Sequence, residues 1–283
     1  MPDSKPYLGR RTSFALLLPM AALLAVFFVY PLARTIWQSF NENGFTLRTY
    51  ETLLGSTLFW KVFQNTFAIS FTATIVAVLV GYPVALHLSR LPPSRRMPYL
   101  VMVMLPFWTS ILVKSFALIV LLGYDGIVNN ALSLILGWPV HIPMVFNRVG
   151  AILGMINYLL PFMILSILSS LLTQDQNLGR AAEVMGASRF TIFRRITLPL
   201  SMPGVLAGVL ISFTLSIGMY ITPALLGGRQ DMMMANLIDF YTRQTLDWPL
   251  ASAIAVVLLF VSGVLVALLG KVRGAGGMKE MAR

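Results

Sequence analysis

The stretch VGAILGMINYLLPFMILSILSSLLTQDQNLGRAAEVMGASRFTIFRRITLPL, residues 149–200, joins two kinds of sequence. Residues 149–172 carry no charge, whereas residues 180–200 carry four arginines, one glutamate and an internal glycine. The first part is long enough to cross a bilayer, whose ~30 Å hydrocarbon core takes about 20 apolar residues of helix. The second part is basic, helix-forming and bent. Such a succession marks an integral membrane protein built of helices, and apolar runs of the same kind recur along the chain.

Six runs of this kind are found, at about 14–33, 63–89, 98–122, 149–172, 203–227 and 248–270. None alternates in hydropathy as the strands of an outer-membrane barrel do. Only the third holds a charge, Lys114. Of the 283 residues 57% are hydrophobic and 11% charged, with a mean hydropathy of +0.80; a soluble domain carries about 25% charged residues. The fold class read from this is an all-α integral membrane protein of about six transmembrane helices. Residues 1–283 make one transmembrane domain with a loop at 173–202. The first run is read as a span and not a signal peptide. Its core exceeds the usual ~7–15 residues and no small-x-small cleavage site follows it.

The net charge of +11 is an orientation signal. With both termini on one side, that side carries fourteen of the 21 Lys and Arg residues, from Lys5 to Arg283, and the other side six. The positive-inside rule then places both termini, the 90–97 loop and the 172–202 loop in the cytoplasm. Membrane lipid, and not nucleic acid, is the partner such a charge distribution implies.

Within 180–200, a helix over Leu178 to Met185 puts Leu178, Ala181, Ala182 and Met185 on one narrow face. Arg180 and Glu183 lie on the other side, close enough to pair. Gly186 suits a left-handed helix end, and Ser188 can cap a second helix from about Arg189. Phe190, Ile192, Phe193 and Ile196 give that helix a broad apolar face, and Pro199 and Pro203 mark the start of the fifth span. The result is a helix–turn–helix on the cytoplasmic face. It serves either as a docking element or as an amphipathic segment in the headgroup layer.

Several chemistries have no residues to carry them. Cysteine is absent, which removes disulfides and thiolate metal sites. His87 and His141 are isolated, with no i,i+4 partner for a metal. There is no G-x-x-x-x-G-K-[ST] phosphate loop and no Ser/His/Asp constellation, so the chain is not read as an enzyme.

The polar residues of the spans are Lys114, then Asn157 and Tyr158 in the fourth, then Thr214, Ser216, Tyr220 and Thr222 in the fifth. Each either faces a translocation pathway or serves helix packing. Gly218 and Pro223 permit a break in the fifth span, and breaks line cavities. Gly150/Gly154 and Gly204/Gly208 are G-x-x-x-G pairs suited to close helix contact. The external loop 229–247, with Asp231, Asp239 and Asp247, is either solvated or a seat for another protein.

The spacing of Ala181, Ala182, Gly186, Ala187, Ser188, Leu198 and Pro199 resembles the cytoplasmic signature loop of ABC importer permeases. That family has a glutamate directly before the two alanines; here Arg180 stands there, with Glu183 nearby. KSFALIVLLGYDGIVNNAL (114–132), GVLISFTLSIGMYITPALLGG (208–228) and DWPLASAIAVVLL (247–259) resemble segments of its spermidine/putrescine-type subfamily. An arginine is usual there in place of Lys114, and an acidic residue in place of Met219. The resemblance implies a type I importer permease fold in a bacterial inner membrane, with a coupling helix within 178–198. It implies that Arg180, Ala181, Ala182, Glu183, Gly186, Ala187, Ser188, Leu198 and Pro199 meet a separate ABC ATPase dimer, which binds the ATP and Mg. It also implies a second, different permease subunit and an extracytoplasmic solute-binding protein. The solute implied is a polyamine such as spermidine or putrescine. An ion-coupled secondary transporter is the alternative, although no Asp or Glu lies in any of the six runs.

Overall fold

In a computed structural model of the chain, residues 10–41, 44–139 and 141–281 are described; Lys5 and Arg283, counted above toward orientation, lie outside them. The helices in chain order are α1 (Arg10–Leu24), α2 (Tyr30–Ser39), α3 (Arg48–Gly55), α4 (Thr57–Arg90), α5 (Pro93–Trp108), α6 (Ile111–Leu122) and α7 (Ile127–Leu136). Then come α8 (Arg148–Leu172), α9 (Gln176–Val184), α10 (Arg189–Ile192), α11 (Leu198–Ile217), α12 (Ile221–Leu226), α13 (Met234–Arg243) and α14 (Trp248–Met281). A π turn at Ala25–Val29 joins α1 to α2, and another at Phe193–Thr197 joins α10 to α11. Six stretches are long and apolar enough to cross a membrane: Leu17–Ser39, Thr57–Arg90, Ile111–Leu136, Arg148–Leu172, Arg189–Ile217 and Trp248–Ala267.

Two of these differ in kind from the runs read in the sequence. The third run, 98–122, is not one helix: it breaks at Thr109 and Ser110, both outside the helical region, between α5 and α6. Pro106 lies inside α5 and removes the backbone donor to the Met102 carbonyl, which weakens the helix in the turn leading up to the break. Pro199 falls in the first turn of α11, as expected, but the chain is already helical from Arg189, so the fifth span runs on from α10 through the π turn to Ile217. The π turn absorbs Pro199: the Leu198 N–H reaches back to the Phe193 carbonyl, widening the coil where a proline would otherwise strain it. The fifth run does break at Gly218, where α11 ends, and resumes at Ile221.

The chain folds as two compact units. One holds residues up to Ser56 together with Ile238–Leu258; the other holds Thr57–Leu237 with Leu259 onward. In the first, the Ser39 and Tyr50 hydroxyls lie 2.8 Å apart and Phe40 stacks on Phe45, which fixes the turn after α2. Its apolar residues Leu17, Leu18, Phe27 and Phe28 are exposed, as a lipid-facing or partner-facing helix requires.

In the second unit α4, α8 and α11 pack against one another, with α5 and α12 also against α8. Ile69, Ala73, Ala77 and Ala85 of α4 meet Met155, Leu159, Met163 and Ile167 of α8 in one buried cluster. The α8 row advances by four residues, and so does the α4 row once Gly81, which faces Met163, is counted between Ala77 and Ala85; these are the i±4 ridges that interlock between helices. Lipid tails are as apolar as leucine, so burial alone does not drive this association, and small residues that let backbones approach take its place. All four glycines of the G-x-x-x-G pairs lie at close contacts, Gly204 and Gly150 against backbone oxygens and Gly208 and Gly154 first against side chains. A Cβ on Gly204 would lie 2.6 Å from the Ser166 carbonyl oxygen, and one on Gly150 2.7 Å from that of Leu226. On Gly208 it would meet Met163, and on Gly154 it would meet Thr222 and Leu226.

Candidate functional site

The segment 175–198 forms in two steps. Asp175 caps α9, its carboxylate accepting from the Asn177 N–H at 2.9 Å. The Gly186 N–H then bonds the Glu183 carbonyl and the Ala187 N–H bonds that of Ala182. Gly186 closes the turn at φ +81°, a left-handed conformation that costs an L side chain about 1–2 kcal/mol. Ser188 caps α10 through the Thr191 N–H at 3.3 Å. α9 therefore hangs from a turn of fixed geometry at the outer end of the continuous helix Arg189–Ile217.

Ala181 and Ala182 do not share a face. Ala182 is buried and Ala181 exposed, because α9 packs back on α10 and the π turn, with Gly179 beside Ile192. Leu178 is 47% exposed, Val184 90% and Met185 80%. The free apolar surface of α9 is therefore Leu178, Ala181, Val184 and Met185. Arg180 and Glu183 form no ion pair. The pairs among the described residues are Arg148–Asp231 and Arg243–Asp239. Two exposed side chains three apart gain little from pairing against the entropy it removes. Ala187, Leu198 and Pro199 lie in the turn and at the π turn, where they shape the connection to α11.

Of the polar span residues, the structure brings Lys114 and Tyr158 together: the Lys114 ammonium lies 5.3 Å from the Tyr158 ring centroid. Tyr158 in turn meets Phe162 at 5.7 Å, and Phe162 meets Phe107 at 5.5 Å. Asn157 opens on a different face, into a pocket of about 530 Å³ lined by Pro83, His87, Tyr99 and Pro161 among others. Ser216 and Thr222 are buried in packing; the Ser216 hydroxyl donates to the Phe213 carbonyl at 2.8 Å and Thr222 fills the space over Gly154. Thr214 and Tyr220 are exposed. Tyr220 sits in the break after α11, where its carbonyl accepts from the Asn236 amide at 3.0 Å.

Sequence reading missed a polar knot at the other end of α4 and α8. Arg148 donates to Asp231 at 3.1 Å and to the Asn65 amide oxygen, while the Asn65 amide nitrogen donates to the Gln230 carbonyl at 2.6 Å. Thr66 accepts from the Met234 N–H at 2.8 Å. Asp239 pairs with Arg243, and Asp247 caps α14 through the Leu250 N–H at 3.0 Å. The three acids of the 229–247 loop are thus engaged within the chain. Arg96, counted above toward orientation, is also structural: it donates to the Leu88 and Leu91 carbonyls at 3.0 and 2.8 Å. There it neutralises the negative end of α4. Asn129 likewise ties the segment after α6 together, bonding the carbonyls of Gly123, Tyr124 and Ile142, each at 3.1 Å.

Residues 77–273 match the family described as binding-protein-dependent transport system inner membrane component. The chain is 35% identical to the spermidine/putrescine transport system permease protein PotB of Haemophilus influenzae, over 89% of this chain and 87% of that one. It is 32% identical to PotB of Escherichia coli, over 80% and 82%. Among solved structures it is similar to a bacterial ABC transporter involved in import of the acidic polysaccharide alginate, with TM-score 0.79, 21% identity, and 93% and 94% of the two chains covered. It is also similar to an inward-facing form of the MetNI methionine ABC transporter, with TM-score 0.57, 17% identity, and 77% and 95% covered. At such identities these two likenesses concern the fold.

Proposed function

The chain belongs to the family of binding-protein-dependent transport system inner membrane components, and from that premise we propose that it moves a polyamine of the spermidine/putrescine class. It is a multi-pass inner-membrane permease subunit of an ATP-driven ABC importer and not itself an enzyme. The observation that carries the solute reading is the identity to two PotB proteins across most of each chain. The alternative, ion coupling, has no acid in the six apolar runs to work with.

The proposed mechanism uses the parts in order. A solute-binding protein delivers the amine at the extracytoplasmic side. A dimer of ABC ATPases, which holds the ATP and Mg, seats α9 through Leu178, Ala181, Val184 and Met185. Both termini and this seat are cytoplasmic. Closure of the ATPases moves α9, and the turn at Gly186 and Ser188 passes the movement to the helix Arg189–Ile217. That helix ends at the break around Gly218, beside Tyr220. Coupling of this kind requires that ATP favour one of two arrangements over the other. A second, different permease completes the pathway.

The test is purification from the native membrane in mild detergent, followed by reconstitution. The expected result is an ATPase with a phosphate loop and a second permease in the complex, and putrescine or spermidine uptake that needs ATP and survives an ionophore. Isolation of this chain alone in several detergents, or uptake abolished by the ionophore with ATP present, would refute the proposal.

A further inference from the structure

We propose that Lys114 is a resident mimic of the transported amine, its ammonium holding the face of Tyr158 that an alkylammonium group of the solute takes during transport. The inference rests on the polyamine reading above. Four observations carry it.

The first is the contact itself: an ammonium 5.3 Å from a tyrosine centroid is within the ~6 Å at which the ring quadrupole attracts a cation. The second is that no carboxylate shares the work. The ion pairs among the described residues lie elsewhere, at Arg148–Asp231 and Arg243–Asp239. A charge in a span is costly unless something holds it, and here the partner is an aromatic face. The third is chemical likeness. A lysine side chain is a chain of four methylenes ending in a primary ammonium, and putrescine is the same chain with a second ammonium in place of the backbone. A face shaped to hold one holds the other. The fourth is position. Lys114 stands in the first turn of α6, its N–H bonded to the Ser110 carbonyl at 3.0 Å, directly after the break at Thr109 and Ser110. A change of angle at that break carries Lys114 off the ring. Beyond Tyr158, Phe162 and Phe107 continue the row of rings toward α5, giving a displaced or incoming cation further faces to move along.

Lys114 therefore acts as an internal competitor. In the absence of solute it fills the aromatic face and keeps the span's one charge satisfied. A solute ammonium replaces it, and the ring stays occupied throughout.

The test uses the complete transporter in proteoliposomes with radiolabelled putrescine. Lys114→Met keeps the length and apolar stem but removes the competitor, and lowers the KM for uptake by about three- to tenfold. In a Tyr158→Leu background the same change leaves KM unmoved within about twofold, because there is no shared face to compete for. A KM unchanged or raised in Lys114→Met, or an equal effect in both backgrounds, overturns the inference. A second measurement needs no variant. Acetylation of the Lys114 amine relative to that of the exposed Lys61 in the wild-type complex, followed by peptide mass spectrometry, rises when putrescine is added; an unchanged ratio overturns the inference. If the wild-type transporter takes up neither putrescine nor spermidine, the polyamine reading itself falls and takes this one with it. Wild-type uptake with an unmoved KM sinks this inference alone.

Discussion

The hydroxyls of Tyr82 on α4 and Ser201 on α11 lie 2.8 Å apart, buried, and join two spans at their packed faces. The two partners are not equivalent. Ser201 also reaches the Leu198 carbonyl at 2.9 Å, so Tyr82→Phe leaves it satisfied and costs at most about 1 kcal/mol. Ser201→Ala leaves the buried phenol without this partner and costs about 1–3 kcal/mol. Thermal unfolding in detergent checks the order: Ser201→Ala is the less stable variant, and the reverse order contradicts the account.

The glycines of the two G-x-x-x-G pairs differ in what a methyl group would strike. On Gly204 it meets the Ser166 backbone oxygen, whereas on Gly154 it meets the ends of the Leu226 and Thr222 side chains. Side-chain ends shift more cheaply than a helix backbone. Gly204→Ala accordingly lowers stability by about 1–3 kcal/mol, and Gly154→Ala by less. Equal melting temperatures for the two variants would show that α8 and α11 do not approach this closely.

At Gly186 the cost of substitution is conformational. A Cβ there meets nothing within 4 Å, yet φ is +81°. Gly186→Asn is tolerated because Asn visits this region. Gly186→Val forces the turn open and cuts ATP-dependent uptake at least tenfold while membrane insertion persists. Uptake assays on both variants, normalised to the amount of assembled permease, decide the matter. Normal uptake with valine in that place removes the role given to the turn.

The two sides of α9 give opposite outcomes. Met185→Asp changes an 80% exposed side chain on the surface proposed to meet the ATPase. It is expected to abolish co-purification of the ATPase without lowering the melting temperature of the permease. Ala182→Arg instead forces a long charged chain into a site only 6% exposed, and lowers thermal stability as well. If Ala182→Arg leaves the melting temperature unchanged while Met185→Asp lowers it, the inward and outward faces have been exchanged.

Much of this was legible one residue at a time. Five of the six spans follow from hydropathy, whereas the third lies at Ile111–Leu136 and not at 98–122. The left-handed turn follows from Gly186, the α10 cap from Ser188 and the break in the fifth span from Gly218, because each depends on its neighbours in sequence. What was not legible depends on residues far apart. Arg148 finds Asp231 across 83 positions, so Asp231 reads as available when it is already engaged. Ala182 turns inward only because α9 folds back on α10, which helix periodicity alone does not contain. The break at Thr109 and Ser110 passes unnoticed in a hydropathy profile, since neither residue interrupts an apolar run. Lys114 stood out as a charge, but its aromatic partner lies on another helix.

The π turn at Phe193–Thr197 has a consequence for how this chain tolerates change in length. An α-helix that gains one residue rotates everything beyond it by about 100°, which would swing Gly204 and Gly208 away from α8. A wide turn takes up the surplus residue locally and leaves the rotational phase of the far segment intact. The end that carries α9 and the end that carries the glycines can therefore drift independently in sequence length and azimuth while still moving as one rod along their axis. Deletion of a single residue between Arg189 and Thr197 is therefore expected to leave the glycines in phase with α8, whereas a deletion between Leu198 and Ser212 is not.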